Sequence, residues 1–277
     1  MNEREQVRLR KVAELPKPWT HDPILQNYKF TNVNREHDRT TQWMRKYWTG
    51  PNIHKSPEMQ FFNCALFRYF GTVEFATAVG WQDDFNPTHI KKVAKELVDK
   101  HLKCFTGAYV ITNGGIKAPK QNVVVDMYLT PLYHALPILV QVAQETKSWQ
   151  EVHDHMRELP GFGGTGFMTK EVLQDVIHGT TVFPGEPVDL NTWCPAGPGA
   201  RRGLNVIYGR EMDKTLNEQQ ALKEMLELFS LRHSLASAAV LETGFDLHCI
   251  QFQLCEWAKY VKVRDGLGRP RSRYEGV

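Results

Sequence analysis

Apolar positions recur at helical spacing through most of this chain, and the elements they predict are helices. Met59 to Phe70 (Met-Gln-Phe-Phe-Asn-Cys-Ala-Leu-Phe-Arg-Tyr-Phe) is apolar on nearly every side, the mark of a core helix, and Gly71 ends it. A short segment, Thr72 to Val79, follows, and Pro87 to Leu102 is amphipathic and rich in Lys. Two helices, Ser148 to Glu158 and about Thr165 to Ile177, flank the turn Leu159-Pro160-Gly161-Phe162-Gly163-Gly164. Asn217 to Arg232 is amphipathic. Asp246 is placed to cap a last long helix, Leu247 to Val263, with His248, Gln251, Cys255 and Lys259 near one face. The stretch Val123-Val124-Val125-Asp126-Met127-Tyr128 is ambiguous: it suits a strand, or a buried helix continuing toward Ala143. No internal repeat is evident. The expected fold is mainly α, two packed helical lobes with a cleft between them. Residues 1–20 read as a charged N-terminal segment closing on the stiff Leu15-Pro16-Lys17-Pro18-Trp19, and 21–277 as a single helical domain holding both lobes.

Composition adds limits. A chain of 277 residues, 42% hydrophobic, can bury a proper core. A formal net charge of +3 is too small to mark a nucleic-acid binder, so that case must rest on where the charges cluster. The five Cys (Cys64, Cys104, Cys194, Cys249, Cys255) are scattered without a CxxC pair, which suits reduced thiols and supplies no zinc spacing. His153 and His155, two apart on a helix, point to different faces. The charged N-terminus is unlike a signal peptide, and the longest apolar run, Leu136 to Val140, is too short to span a bilayer. A soluble cytoplasmic protein is expected.

Five stretches carry candidate chemistry. The turn at Gly161 to Gly164 lies between two helices, and its glycines would let backbone N–H groups seat one phosphate; an ordinary αα-hairpin is the alternative. From Phe30 to Trp43 a helix capped by Thr31 or Asn32 would align Asn32, Arg35 and Arg39, with Asp38 beside Arg35; a solvated charged face is the alternative. Gly179 to Gly203 reads as a long Pro- and Gly-rich loop holding Asp189 and ending in Gly197-Pro-Gly-Ala-Arg201-Arg202-Gly203. There Gly197 and Gly199 would admit a ligand, and two guanidiniums would suit a phosphate or pyrophosphate. Thr106 to Gln121 is a glycine-rich cationic loop, and Arg264 to Tyr274 a basic tail. A P-loop reading of Gly161 to Met168 fails, because Phe167 and Met168 stand where Lys and Ser/Thr must be.

Leu159-Pro-Gly-Phe-Gly163 resembles the turn of the helix-hairpin-helix motif, here at about 148–178, which grips DNA backbone without reading sequence. In DNA glycosylases of that superfamily a catalytic Asp follows a Val after the second helix, and Val188-Asp189 occupies that place. Together with Phe30 to Arg39, Gly197 to Leu204, Leu254 to Tyr260 and Gly268 to Tyr274, the turn is similar to the α-glutamyl/putrescinyl thymine pyrophosphorylase group. These amino-acid:DNA transferases are related to a helical domain associated with 5-hydroxymethyluracil DNA kinases. The resemblance runs from about residue 17 to the C-terminus. It implies a helix-hairpin-helix, glycosylase-like, two-lobed helical fold acting on phage DNA in the host cytoplasm. The implied reaction replaces pyrophosphate on 5-pyrophosphoryloxymethyluracil with an amine, from an amino acid or a polyamine, after an upstream 5-hydroxymethyluracil DNA kinase has acted.

The resemblance implies roles as well. The target base would leave the stack. Asp189 would be the base toward the incoming ammonium. Asn32, Arg35, Asp38, Arg39, Arg201, Arg202, Asn205, His248 and Lys259 would bind substrate and the departing pyrophosphate. Gly161, Phe162, Gly163 and Gly164, with Arg269, Arg271 and Arg273, would hold double-stranded DNA. No cofactor is implied and no metal is indicated. Gln251 stands where the group has an acidic residue. Two other readings stay open: a base-excision glycosylase using Asp189, and a non-catalytic DNA-binding or kinase-accessory module.

Overall fold

The computed structural model describes residues 1–268, so Arg269, Arg271 and Arg273 lie outside the described residues. The described chain is helical, with no strand among the described residues, and it divides into two compact units. One comprises Met1–Asp38 and the segment from Leu190 onward; the other is Arg39–Asp189.

The chain begins in the first unit with α1 (Asn2–Val12), which buries Glu5 and Val7, and α2 (Pro23–Asn27). Asp22 caps α2 by accepting the N–H groups of Ile24 and Leu25. The expected helix through Asn32, Arg35 and Arg39 does not form. Arg35–His37 is a single 3₁₀ turn capped by Asn34, and Asp38 is extended, with ψ 134°. Asp38 instead accepts the Asn32 N–H at 3.2 Å, and this competition from short polar side chains stops the helix. Arg39 then opens α3 (Arg39–Met44) in the other unit, so the i, i+3, i+7 face is lost.

The second unit is built around α4 (Pro57–Phe70), buried from Met59 to Phe70 as its apolar run requires. Gly71 ends it at φ 66°, and a Cβ there would come within 2.7 Å of Thr106. Next come α5 (Val73–Val79), capped by Thr72, and α6 (Pro87–Asp99), capped by Asn86. The ambiguous valine run is helical: α7 (Lys120–Asn122), a π-helical stretch Val123–Leu129 and α8 (Thr130–Thr146) form one continuous helix. This helix is long and apolar enough to cross a membrane by length and composition, yet half of its most apolar window is buried, and α8 packs on α4 as a core helix. The last pair is α9 (Trp149–Arg157) and α10 (Phe167–Gly179); α10 packs on both α4 and α9.

Back in the first unit lie α11 (Pro198–Ile207), α12 (Glu218–Ser230), α13 (Arg232–Leu235), α14 (Ala238–Leu241) and α15 (Leu247–Arg264). Asp246 does cap α15, accepting the Cys249 N–H at 2.8 Å. The end of the expected long loop is helix. Pro198 takes the first helical position, where its missing N–H costs nothing, and α11 lies against α15. Gly199 and Gly203 serve that contact, a packing role that the expected ligand approach at Gly199 did not include. A Cβ on Gly203 would collide with the Leu254 carbonyl oxygen, and one on Gly199 would lie 2.9 Å from the Cys255 Sγ.

Candidate nucleic-acid interface

The turn between α9 and α10 is exposed at Gly161, Gly163, Gly164 and Thr165. Its conformation is held by three side chains, two of them from the interior. The Tyr69 hydroxyl donates to the Gly161 carbonyl at 2.7 Å, Thr169 Oγ1 to the Phe162 carbonyl at 2.7 Å, and Arg157 Nη2 to the Gly164 carbonyl at 2.9 Å. In a trans peptide the C=O and the following N–H point in opposite directions. Fixing the Phe162 carbonyl against buried Thr169 therefore aims the Gly163 N–H the other way, on a residue open to solvent. Gly161 sits at φ 85°, and a Cβ would strike the Tyr128 ring and lie 2.6 Å from the Tyr69 hydroxyl. Two aromatic side chains from other helices thus demand glycine at this position.

Phe162 departs from the DNA-contacting role expected of it. Its side chain is fully buried, edge-on to Tyr69 at 5.3 Å between centroids. An apolar ring at the centre of the turn gains more from the core than from solvent. It anchors the turn, and the glycines on either side of it are what face outward.

His153 supports the same turn. It is buried, and a Cβ on Gly166 would lie 2.8 Å from its Nε2, which together with φ 67° requires glycine at the start of α10. Burial, opposed by the hydrogen bond to Asp154, lowers its pKa to about 4. The folded state then binds fewer protons than the unfolded chain between that value and the ordinary 6.5. The resulting stability is complete above about pH 6.5 and is lost as the pH falls toward 4, a change of about 3 kcal/mol. Urea titrations at pH 7 and pH 4.5 should show this step in the wild type and a smaller one in His153→Gln. Equal steps would rule out His153 as its source.

The other expected site residues divide between the units: Arg39, Asp189 and the turn are in one, while Asn32, Arg35, Asp38, Arg201, Arg202, Asn205, His248 and Lys259 are in the other. Asp189 accepts from Ser148 Oγ at 2.7 Å and from the N–H groups of Trp149 and Gln150 at 3.0 and 2.9 Å. Its carboxylate thus caps α9, complementing the helix dipole and joining the end of this unit to the helix that carries the turn. Arg39 is exposed.

In the first unit, Arg201 is spent on backbone carbonyls, Nε on Ala196 at 2.7 Å and Nη1 on Leu216. Buried Asn205 clamps the carbonyls of Met212 and Lys214. Asn32 accepts from Arg4 at 2.5 Å and donates to His37, and the Arg35 guanidinium lies 5.2 Å from the Phe252 ring centroid. His248 is buried, with Nδ1 3.7 Å from Asp246. Two expected residues do meet: Arg202 and Lys259 line one cleft of about 200 Å³ with Gly199, Cys255, Lys262 and Gly268. Sequence reasoning missed Lys262, although its spacing from Lys259 places both on one side of α15. A larger cavity of about 540 Å³ in the same unit is lined by Leu25, Leu228, Ile250 and Trp257, among others.

Comparison with known proteins places these observations. The family described as 5-hmdU DNA kinase, helical domain, matches residues 1–267. A 5-hmdU DNA kinase of Bacillus phage SP10 is 22% identical over 300 aligned positions, covering 93% of this chain. The chain spans 43% of that relative's length. No solved structure matches it. The expected exchange of pyrophosphate for an amine is overturned by these matches, which point to the kinase branch of the resemblance and not to the amino-acid:DNA transferases. The amino-acid or polyamine partner falls with it. The chain belongs to the family of 5-hmdU DNA kinase helical domains.

Proposed function

We propose that this chain is a DNA-gripping helical module serving the phosphorylation of 5-hydroxymethyluracil in phage DNA, within the host cytoplasm. The family match supplies the context, and the observation that carries the reading is the exposed glycine turn with its carbonyls fixed by Tyr69, Thr169 and Arg157. An N–H group held outward just ahead of α10 favours a phosphate, as helix N-termini do. Such a contact positions the duplex without reading its sequence. Phosphoryl transfer is not assigned to this turn. The nearest following lysine, Lys170, is buried and paired with Glu171 at 2.9 Å, far from the role a P-loop lysine plays.

On this reading α9, the turn and α10 are a helix-hairpin-helix, and the two compact units correspond to the lobes of a glycosylase-like fold. Asp189 then serves as the cap that sets α9, and not as a base. Arg39, exposed on the unit that carries the turn, is a further contact to the strand.

The test is a charge placed at the turn. Thr165 is exposed, so Thr165→Glu should leave the melting temperature within experimental error while weakening duplex binding at least tenfold at low salt. Thr165→Lys should strengthen it. Fluorescence anisotropy with a duplex containing 5-hydroxymethyluracil measures both. Equal affinity of the two variants would refute the turn as the grip.

A further inference from the structure

The cleft on α15 has no part in the α9–α10 turn, which belongs to the other unit. Its walls carry three cations, Arg202, Lys259 and Lys262, and bare backbone at Gly199 and Gly268. Two of these cations have acidic neighbours: Arg202 Nε lies 2.6 Å from Asp213, and Lys259 Nζ lies 2.6 Å from Glu256. Lys262 acts on Asp213 as well, since its charge joins that of Arg202 in holding the Asp213 carboxyl below its ordinary range. With three cations against two carboxylates, and Arg202 and Lys259 side chains 41% and 33% exposed, the cleft keeps a positive surplus open to solvent. The half-buried Cys255 lies on its wall.

We propose that this cleft is a phosphate seat, and that its ligand is a backbone phosphate of a DNA strand. Size and charge argue for that class. About 200 Å³ is below the range of about 300–1,000 Å³ that encloses whole small molecules. The cleft therefore takes one group of a larger ligand, the remainder lying outside. Positive walls select an anionic group, and the paired carboxylates leave room for one phosphate and not for the several charges of a nucleoside triphosphate. In sequence, Gly268 is followed by Arg269, Arg271 and Arg273, cations that add to those of the cleft and favour a polyanion. The inference uses the DNA-binding reading only to name the polyanion; the cleft and its charge stand apart from the turn.

Cys255 provides the readout. Cys64, Cys104, Cys194 and Cys249 are buried and Cys255 is partly exposed, so limiting N-ethylmaleimide should alkylate Cys255 first, as peptide mass spectrometry would verify. A 20-base-pair duplex should slow that alkylation at least threefold. Lys259→Gln/Lys262→Gln should abolish the protection, leave the rate without DNA unchanged, and lower the slope of log affinity against log salt by about one. If that double variant fails to fold, Lys262→Gln alone should reduce protection and Lys259→Arg/Lys262→Arg should keep it.

A duplex that binds, by anisotropy, without slowing the alkylation overturns the proposal. Pyrophosphate or ATP protecting at concentrations where duplex does not would overturn the assignment to a strand. The turn is tested separately. If Thr165→Glu binds duplex as the wild type does while Cys255 is still protected, the turn reading fails and the cleft stands. If Thr165→Glu binds weakly and Cys255 stays unprotected at saturation, the cleft fails and the turn stands.

Discussion

Asp175→Ala should lower the free energy of unfolding by about 3–5 kcal/mol, read as a drop in the urea midpoint with an unchanged slope. Asp175 is 1% exposed and Arg68 5%. Arg68 Nη2 meets Asp175 Oδ1 at 2.7 Å, Arg68 Nε meets Oδ2, and Arg45 Nη2 approaches Oδ1 at 3.2 Å. Burial by itself pushes the Arg68 guanidinium toward its neutral form, and the Asp175 charge and hydrogen bond more than reverse this. Alanine removes the counter-ion and keeps the burial, so the desolvation cost of Arg68 is no longer offset. The paired replacement Arg68→Met/Asp175→Leu should recover most of the loss, because removing both charges removes that cost too. A loss under about 1 kcal/mol for Asp175→Ala would mean that the pair is hydrated in solution. The ion pair joins α4 to α10, so its loss should also loosen the helix that follows the glycine turn.

Gly203→Val should destabilise the chain by about 3 kcal/mol, the upper end of what overpacking costs. A Cβ at this position meets the Leu254 carbonyl oxygen, with the Leu254 carbonyl carbon at 2.8 Å and Cα at 3.0 Å. These are backbone atoms within α15, so no side chain can rotate aside. The two helices would have to separate, breaking the Gly199 contact with Cys255 at the same time. Gly107→Ala is the control, since a Cβ there meets nothing within 4 Å; it should be neutral or slightly stabilising, by less than about 1 kcal/mol. Thermal melts of the two variants compare them directly. If both melt like the wild type, α11 and α15 do not pack through these glycines. Because the cationic cleft is walled by the same two helices, Gly203→Val should also expose Cys255 to faster alkylation.

The sequence determined the elements whose signals are local. Ser148, Asn217 and Asp246 each precede a helix and accept an N–H three residues on, so caps and starts were legible from short polar residues before periodic runs. The glycine turn at 161–164 was legible for the same reason, and its resemblance led to a helical family associated with a DNA-modifying kinase. The valine run was not, because β-branched residues suit a strand as well as a buried helix; its packing against α4 decided the matter.

Site chemistry belonged to the tertiary structure. Asp189 became a helix cap through Ser148, about forty residues earlier in the chain. Phe162 turned inward because Tyr69, 92 residues before Gly161, holds the neighbouring carbonyl. The packing role of Gly199 and Gly203 came only with α15 filling the space beside them, and Lys262 joined Arg202 only through that same contact. A residue's type limits the chemistry it can perform, but distant partners and burial determine whether a cation faces a ligand, an acid or its own backbone.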